Sequence, residues 1–220
     1  MDWLGIFLFS ILRPALGLII LAGFLIYWII KKKLPQEKFL RIIFFVFIGI
    51  VVIRSFVLTF LNYWLWSQEL ISQWLLPPYT PISYILKYSW QSYWFEPVVS
   101  IFLGLIIFKG IYLFNKKFEG NLFYKEERYL AGLGILATGW SSCLVFLSLV
   151  LFSGIIFHLF NILFLFARQK YWMKNQVEKN KLRFDNIRLS LLYFWLPCAL
   201  LILLFSDIIN RYVGISQFNI

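Results

Sequence analysis

The chain has 220 residues, of which 61% are hydrophobic and 14% charged, and its mean hydropathy is +0.79. A water-soluble domain could not expose such a surface, so the composition excludes soluble enzymes and binding modules and defines an integral membrane class. Net charge is +11. A basic balance of that size can mark a nucleic-acid partner, but here the Lys and Arg residues fall in alternate gaps between apolar runs. That is the pattern of membrane topology, and no nucleic-acid partner is expected.

The apolar runs are continuous rather than alternating, which argues for helices and against a β-barrel. The fold class read from the sequence is all-α: a polytopic transmembrane bundle of about six helices forming one integral membrane domain over residues 1–220. Helix 1 is expected at about 3–30, with Pro14 inside it as a kink. It is too long for a signal-peptide core, and no small-residue cleavage site follows, so it reads as retained. Helix 2 is expected at about 39–66, after the basic stretch KKKLPQEKFLR.

Residues 67–96 differ from the rest: SQELISQWLLPPYTPISYILKYSWQSYWFE. Pro77, Pro78 and Pro81 forbid one continuous helix. Many Trp and Tyr side chains favour the headgroup level. The stretch reads as a loop or re-entrant segment on the membrane surface. Helix 3 is expected at about 97–114, with Pro97 suited to a first turn.

Residues 129–167 are apolar throughout, and one helix over them would be almost 60 Å long, about twice the bilayer core. A break is required, and Gly139-Trp140-Ser141-Ser142 is its expected place. That gives helix 4 at about 127–139 and helix 5 at about 143–167. Helix 6 is expected at about 189–205. Segments 31–41, 115–128 and 168–188 carry five, four and seven Lys/Arg. The positive-inside rule puts these three in the cytoplasm and the N-terminus outside, giving a multi-pass protein of the cell (inner) membrane.

Ionisable groups within spans are costly and are read first as functional. Four qualify: Arg13, Arg54, Lys109 and His158. Lys109 lies near a helix end and can reach the interface along its stem. Arg13 lies near the outer interface. Arg54, in VVIRSFVLTF, lies near the middle of helix 2, where its guanidinium fork matches a lipid phosphate. The alternative role for Arg54 is a structural pair with a carbonyl or with Asn62. Arg54 and Arg13 are therefore the expected lipid phosphate-binding residues, and an anionic phospholipid the expected ligand.

His158 is the single histidine, with no acid or serine partner that would make a triad. Glu96, Glu126 and Glu127 sit at helix ends. Cys143 and Cys198 lie in apolar runs without metal spacing. No P-loop, dinucleotide fingerprint or metal cluster is present, so neither a cofactor nor a metal is expected.

Order and spacing resemble the bacterial prolipoprotein diacylglyceryl transferases. GFLIYWIIKKKLPQEKFLRIIFFVFIGIVVIRSFVLTFLNYWL resembles their first two helices, where a basic loop precedes a run ending in Gly-Ala-Arg. Arg54 falls on that arginine, and Val52-Ile53 replace Gly-Ala. IFLGLIIFKGIYLFNKK resembles their third helix, and YLAGLGILATGWSSCLVF the helix leading to the Gly-Arg-x-Gly-Asn signature. VGISQFNI resembles their closing Gly-x-(Ser/Thr)-x-Gln segment. Gly139-Trp140 stands where that signature has Gly-Arg, Trp94-Phe95-Glu96-Pro97 where the family has His-Gly-Gly, and ALLILLFSD where a late charged stretch is found. The resemblance implies transfer of diacylglyceryl from phosphatidylglycerol to a preprotein cysteine, an activity in lipoprotein biosynthesis. Catalytic residues, including a thiol-activating base, are not assigned. The alternative is a non-catalytic subunit or scaffold packing on partner membrane proteins.

Overall fold

The computed structural model describes residues 12–31, 35–118, 123–173 and 191–205. Among these the fold is all-helical, with no strand. Helix α1 is Leu12–Lys31 and α2 is Glu37–Gln68. A short 3₁₀ turn, Ser72–Leu75, leads to α3, Ile82–Ser89. A π-helical turn, Trp90–Trp94, joins α3 to α4, Phe95–Lys117. Then follow α5, Glu127–Thr138, α6, Trp140–Met173, and α7, Leu192–Leu204.

Four described segments are long and apolar enough to cross a membrane: Pro14–Lys31, Glu37–Gln68, Ile82–Lys117 and Trp140–Phe164. Only 17–28% of the residues in their apolar windows are buried inside the bundle. The remaining apolar surface needs a non-aqueous neighbour, because burial against protein does not cover it. Helices suit that setting because every interior backbone N–H and C=O is paired within the segment.

The core is organised around the shortest of the sequence-expected helices. α5 has 12 residues, about 18 Å at 1.5 Å per residue. It packs against α1, α2, α4, α6 and α7, and every residue from Tyr129 to Ala137 is buried. Small residues allow this crowding. A Cβ on Gly132 would lie 2.6 Å from Phe44 Cε2, so the α2 ring occupies the space where a side chain would be. A Cβ on Gly104 of α4 would rest in ordinary contact, 3.4 Å from the Gly132 carbonyl oxygen and from Leu136. Close backbone approach through small residues is the common means of helix association where water does not drive packing.

The expected break is found. α5 ends at Thr138, and Gly139 takes φ 88° and ψ 166° before α6 begins at Trp140. That backbone region is essentially restricted to glycine. The Gly139 N–H donates to the Ile135 carbonyl at 2.9 Å and closes the last turn. Two boundaries differ most from expectation. α6 runs to Met173, six residues past the expected end at 167. Residues 82–94, expected as loop or re-entrant chain, are helical and continue into α4. The prolines account for this. Pro77-Pro78 interrupts the chain, whereas Pro81 sits at the N-cap of α3, where its missing N–H costs no helical bond. Pro14 lies in the first turn of the described part of α1.

Candidate functional site

The buried face of α2 reads Leu40, Phe44, Phe47, Val51, Arg54, Ser55 and Leu58. This is a helical stripe, apolar except at Arg54 and Ser55. The stripe meets the π-helical turn, where the chain turns polar on both sides. The Ser55 hydroxyl reaches the Tyr93 carbonyl at 3.0 Å and the Val51 carbonyl of its own helix at 3.2 Å. Trp94 donates its indole N–H to Thr59 Oγ1 at 3.0 Å, and the Thr59 hydroxyl donates to the Ser55 carbonyl at 2.9 Å. The Tyr93 hydroxyl donates to Asn62 Oδ1 at 3.2 Å. Asn62 Nδ2 is buried with no hydrogen-bond partner.

Arg54 is 9% exposed within this seam and has an interaction partner in the protein. Glu96 and Ser100 of α4 are likewise engaged. Ser100 is fully buried, and its hydroxyl donates to the Glu96 carbonyl at 2.8 Å. Phe95, between Trp94 and Glu96, meets Trp140 edge-on at 5.9 Å. The seam therefore lies beside the α5–α6 break. A π turn, a broken helix and a buried guanidinium come together in one region, and π turns are frequent at functional sites. A guanidinium carries five N–H donors in a fixed fork, a shape that matches a phosphate or carboxylate.

The other residues expected from the sequence lie on other helices. Arg13 belongs to α1, and its side chain lies outside the described residues. Lys109 is exposed on α4, with its ammonium 5.8 Å from the Tyr112 ring centre. His158 lies on α6; its Nε2 is buried without a hydrogen-bond partner. The segment VGISQFNI and the part of the basic loop from 174 to 188 lie outside the described residues. Among the described residues no group of three or more His, Cys, Asp or Glu is placed to hold a metal.

A second polar cluster, at the α2 and α5 starts, was missed by sequence reasoning. Glu37 of α2 pairs with Arg128 of α5 and, at 3.4 Å, with Arg41. Arg41 Nε donates to the Tyr129 hydroxyl at 3.0 Å. The Arg128 guanidinium stacks 4.8 Å from the Tyr129 ring and 5.3 Å from Phe108 of α4. Glu127 is fully buried. Its Oε1 accepts the Tyr124 N–H at 3.0 Å, and its Oε2 accepts the Trp195 indole N–H of α7 at 3.2 Å. The first of these ties the turn before α5 to the first residue of the helix. The only sequence signal for this cluster was the pair Glu126-Glu127 at a helix start. Its partners lie up to 92 residues apart.

Among the described residues, fold and site define an all-helical bundle with four helical segments long and apolar enough to cross a membrane. Comparison with family models, with curated proteins and with solved structures finds no match for this chain.

Proposed function

We propose that the protein is a multi-pass protein of the cell (inner) membrane that handles an anionic phospholipid at the Arg54 seam, in the manner of the prolipoprotein diacylglyceryl transferases it resembles. One observation carries the reading: an arginine buried in the face of an apolar span, on the helix whose Ser55, Thr59 and Asn62 hydrogen-bond to the π-helical turn. A charge at that depth is functional by default. In the proposed reaction a preprotein cysteine sulfur bonds to the glyceryl carbon of phosphatidylglycerol. The carbon–oxygen bond to phosphate breaks, and the glycerol phosphate leaves with the electron pair. Arg54 would bind the phosphate and stabilise the charge growing on the departing oxygen. The thiol proton needs a base, and no residue is assigned to that role.

The test is transfer of labelled diacylglyceryl from phosphatidylglycerol to a lipobox cysteine peptide by the purified protein. Thioether-linked product, lost in Arg54→Leu, is the expected result. Absence of product from correctly folded protein removes the transferase reading. It leaves a non-catalytic subunit or scaffold, which the satisfaction of most seam groups within the protein also supports. The proposed orientation puts the N-terminus outside and segments 31–41, 115–128 and 168–188 inside. A single cysteine placed in segment 168–188 should react with a membrane-impermeant maleimide only after the membrane is opened. Labelling from the intact outer face would reverse the orientation.

A further inference from the structure

A groove of about 580 Å3 opens between the second half of α1 and the start of α2. Ile19, Ile20 and Phe24 line one side, and Phe39 and Ile43 the other. Its volume falls within the roughly 300–1,000 Å3 of small-molecule sites. Gly23 also lines it, and nothing lies within 4 Å of where a Gly23 Cβ would stand. The groove ends at Pro35 and Gln36, on the loop between the helices.

The charge at that end is one-sided. Gly23, Tyr27 and Lys31 follow at four-residue spacing, so the stripe that lines the groove leads to an ammonium. Lys31 and Lys38 are exposed, and neither pairs with a carboxylate among the described residues. The nearby carboxylate, Glu37, is taken by Arg128 and Arg41. Basic clusters next to a span attract anionic lipid headgroups.

Length selects the occupant further. The groove covers residues 19–27 of α1, about 12 Å at 1.5 Å per residue. A partner helix crossing ~30 Å of hydrocarbon would want a longer seat. We infer that the groove seats one acyl chain of an anionic glycerophospholipid, with its phosphate at Lys31 and Lys38. This site is separate from the Arg54 seam: Ile43 and Arg54 are 11 positions apart, about 16 Å along α2.

Lipid retention measured by native mass spectrometry tests it, using the full chain presented with equal amounts of phosphatidylglycerol and phosphatidylcholine. The native protein should keep phosphatidylglycerol in preference. Lys31→Gln with Lys38→Gln, at two exposed positions, should reduce that preference by roughly fivefold per lysine. Gly23→Phe should fill the groove and remove one bound lipid, while Gly23→Ala should keep it. Equal retention of the two lipids by the native protein, or unchanged retention in both the lysine and Gly23→Phe variants, overturns the proposal. Arg54→Leu, measured in parallel, separates the two sites. Lipid loss in Arg54→Leu alone supports the seam and overturns the groove; loss in the groove variants alone does the reverse.

Discussion

Glu127→Leu should lower stability by about 1–3 kcal/mol. The side chain is fully buried and accepts two hydrogen bonds, one from the Trp195 indole and one from the Tyr124 backbone. Trp195 is 4% exposed, so its N–H would lose its acceptor where water cannot replace it, at about 1–3 kcal/mol. Tyr124 is exposed, so water can take its N–H and little is lost there. Thermal unfolding in detergent measures the loss. Glu127→Gln keeps a carbonyl acceptor and should recover part of the loss. Native-like melting of Glu127→Leu would show that Trp195 finds another acceptor and that the α5–α7 link is not held there.

Gly139→Val should cost about 3 kcal/mol, the upper part of the range for a strained backbone residue. Gly139 has φ 88° and ψ 166°, a region closed to a β-branched side chain. The protein would either strain at this position or reorient α6 relative to α5. Both outcomes disturb the Phe95–Trp140 contact beside the seam. A Gly139→Val melting curve that overlays the native one would mean the break does not need glycine.

The Gly139 break was legible because two simple facts meet there. A 39-residue apolar run is too long for the bilayer, and it holds a glycine beside Trp-Ser-Ser. The extent of α2 was legible to within two residues at each end, since charge and polarity stop its apolar run. The central place of α5 was not. In a membrane protein, lipid-facing and protein-facing helices are equally apolar, so hydropathy cannot tell them apart. The available signal was AGLG, whose small residues admit Phe44 and Gly104. The helix from Ile82 was hidden for another reason: Pro81 reads as a breaker in sequence but acts as a starter in the fold.

The site was half legible. Arg54 stood out because no Asp or Glu lies between residues 38 and 68. Its surroundings did not, because Tyr93 lies 38 positions from Ser55, and Trp94 35 from Thr59. Nor did spacing reveal the Glu37–Arg128 link, which joins two helix starts through tertiary packing alone.

Lipid binding by Arg54 variants tests most directly whether Arg54 is a phosphate ligand. The number of phosphatidylglycerol molecules carried per purified chain should fall by one in Arg54→Leu. Arg54→Lys should hold that lipid more weakly than the native protein, since an ammonium is a point charge without the bidentate fork. The helical content of both variants should match the native protein. An unchanged phosphatidylglycerol count in folded Arg54→Leu would contradict the account and leave the seam as a helix-to-helix contact.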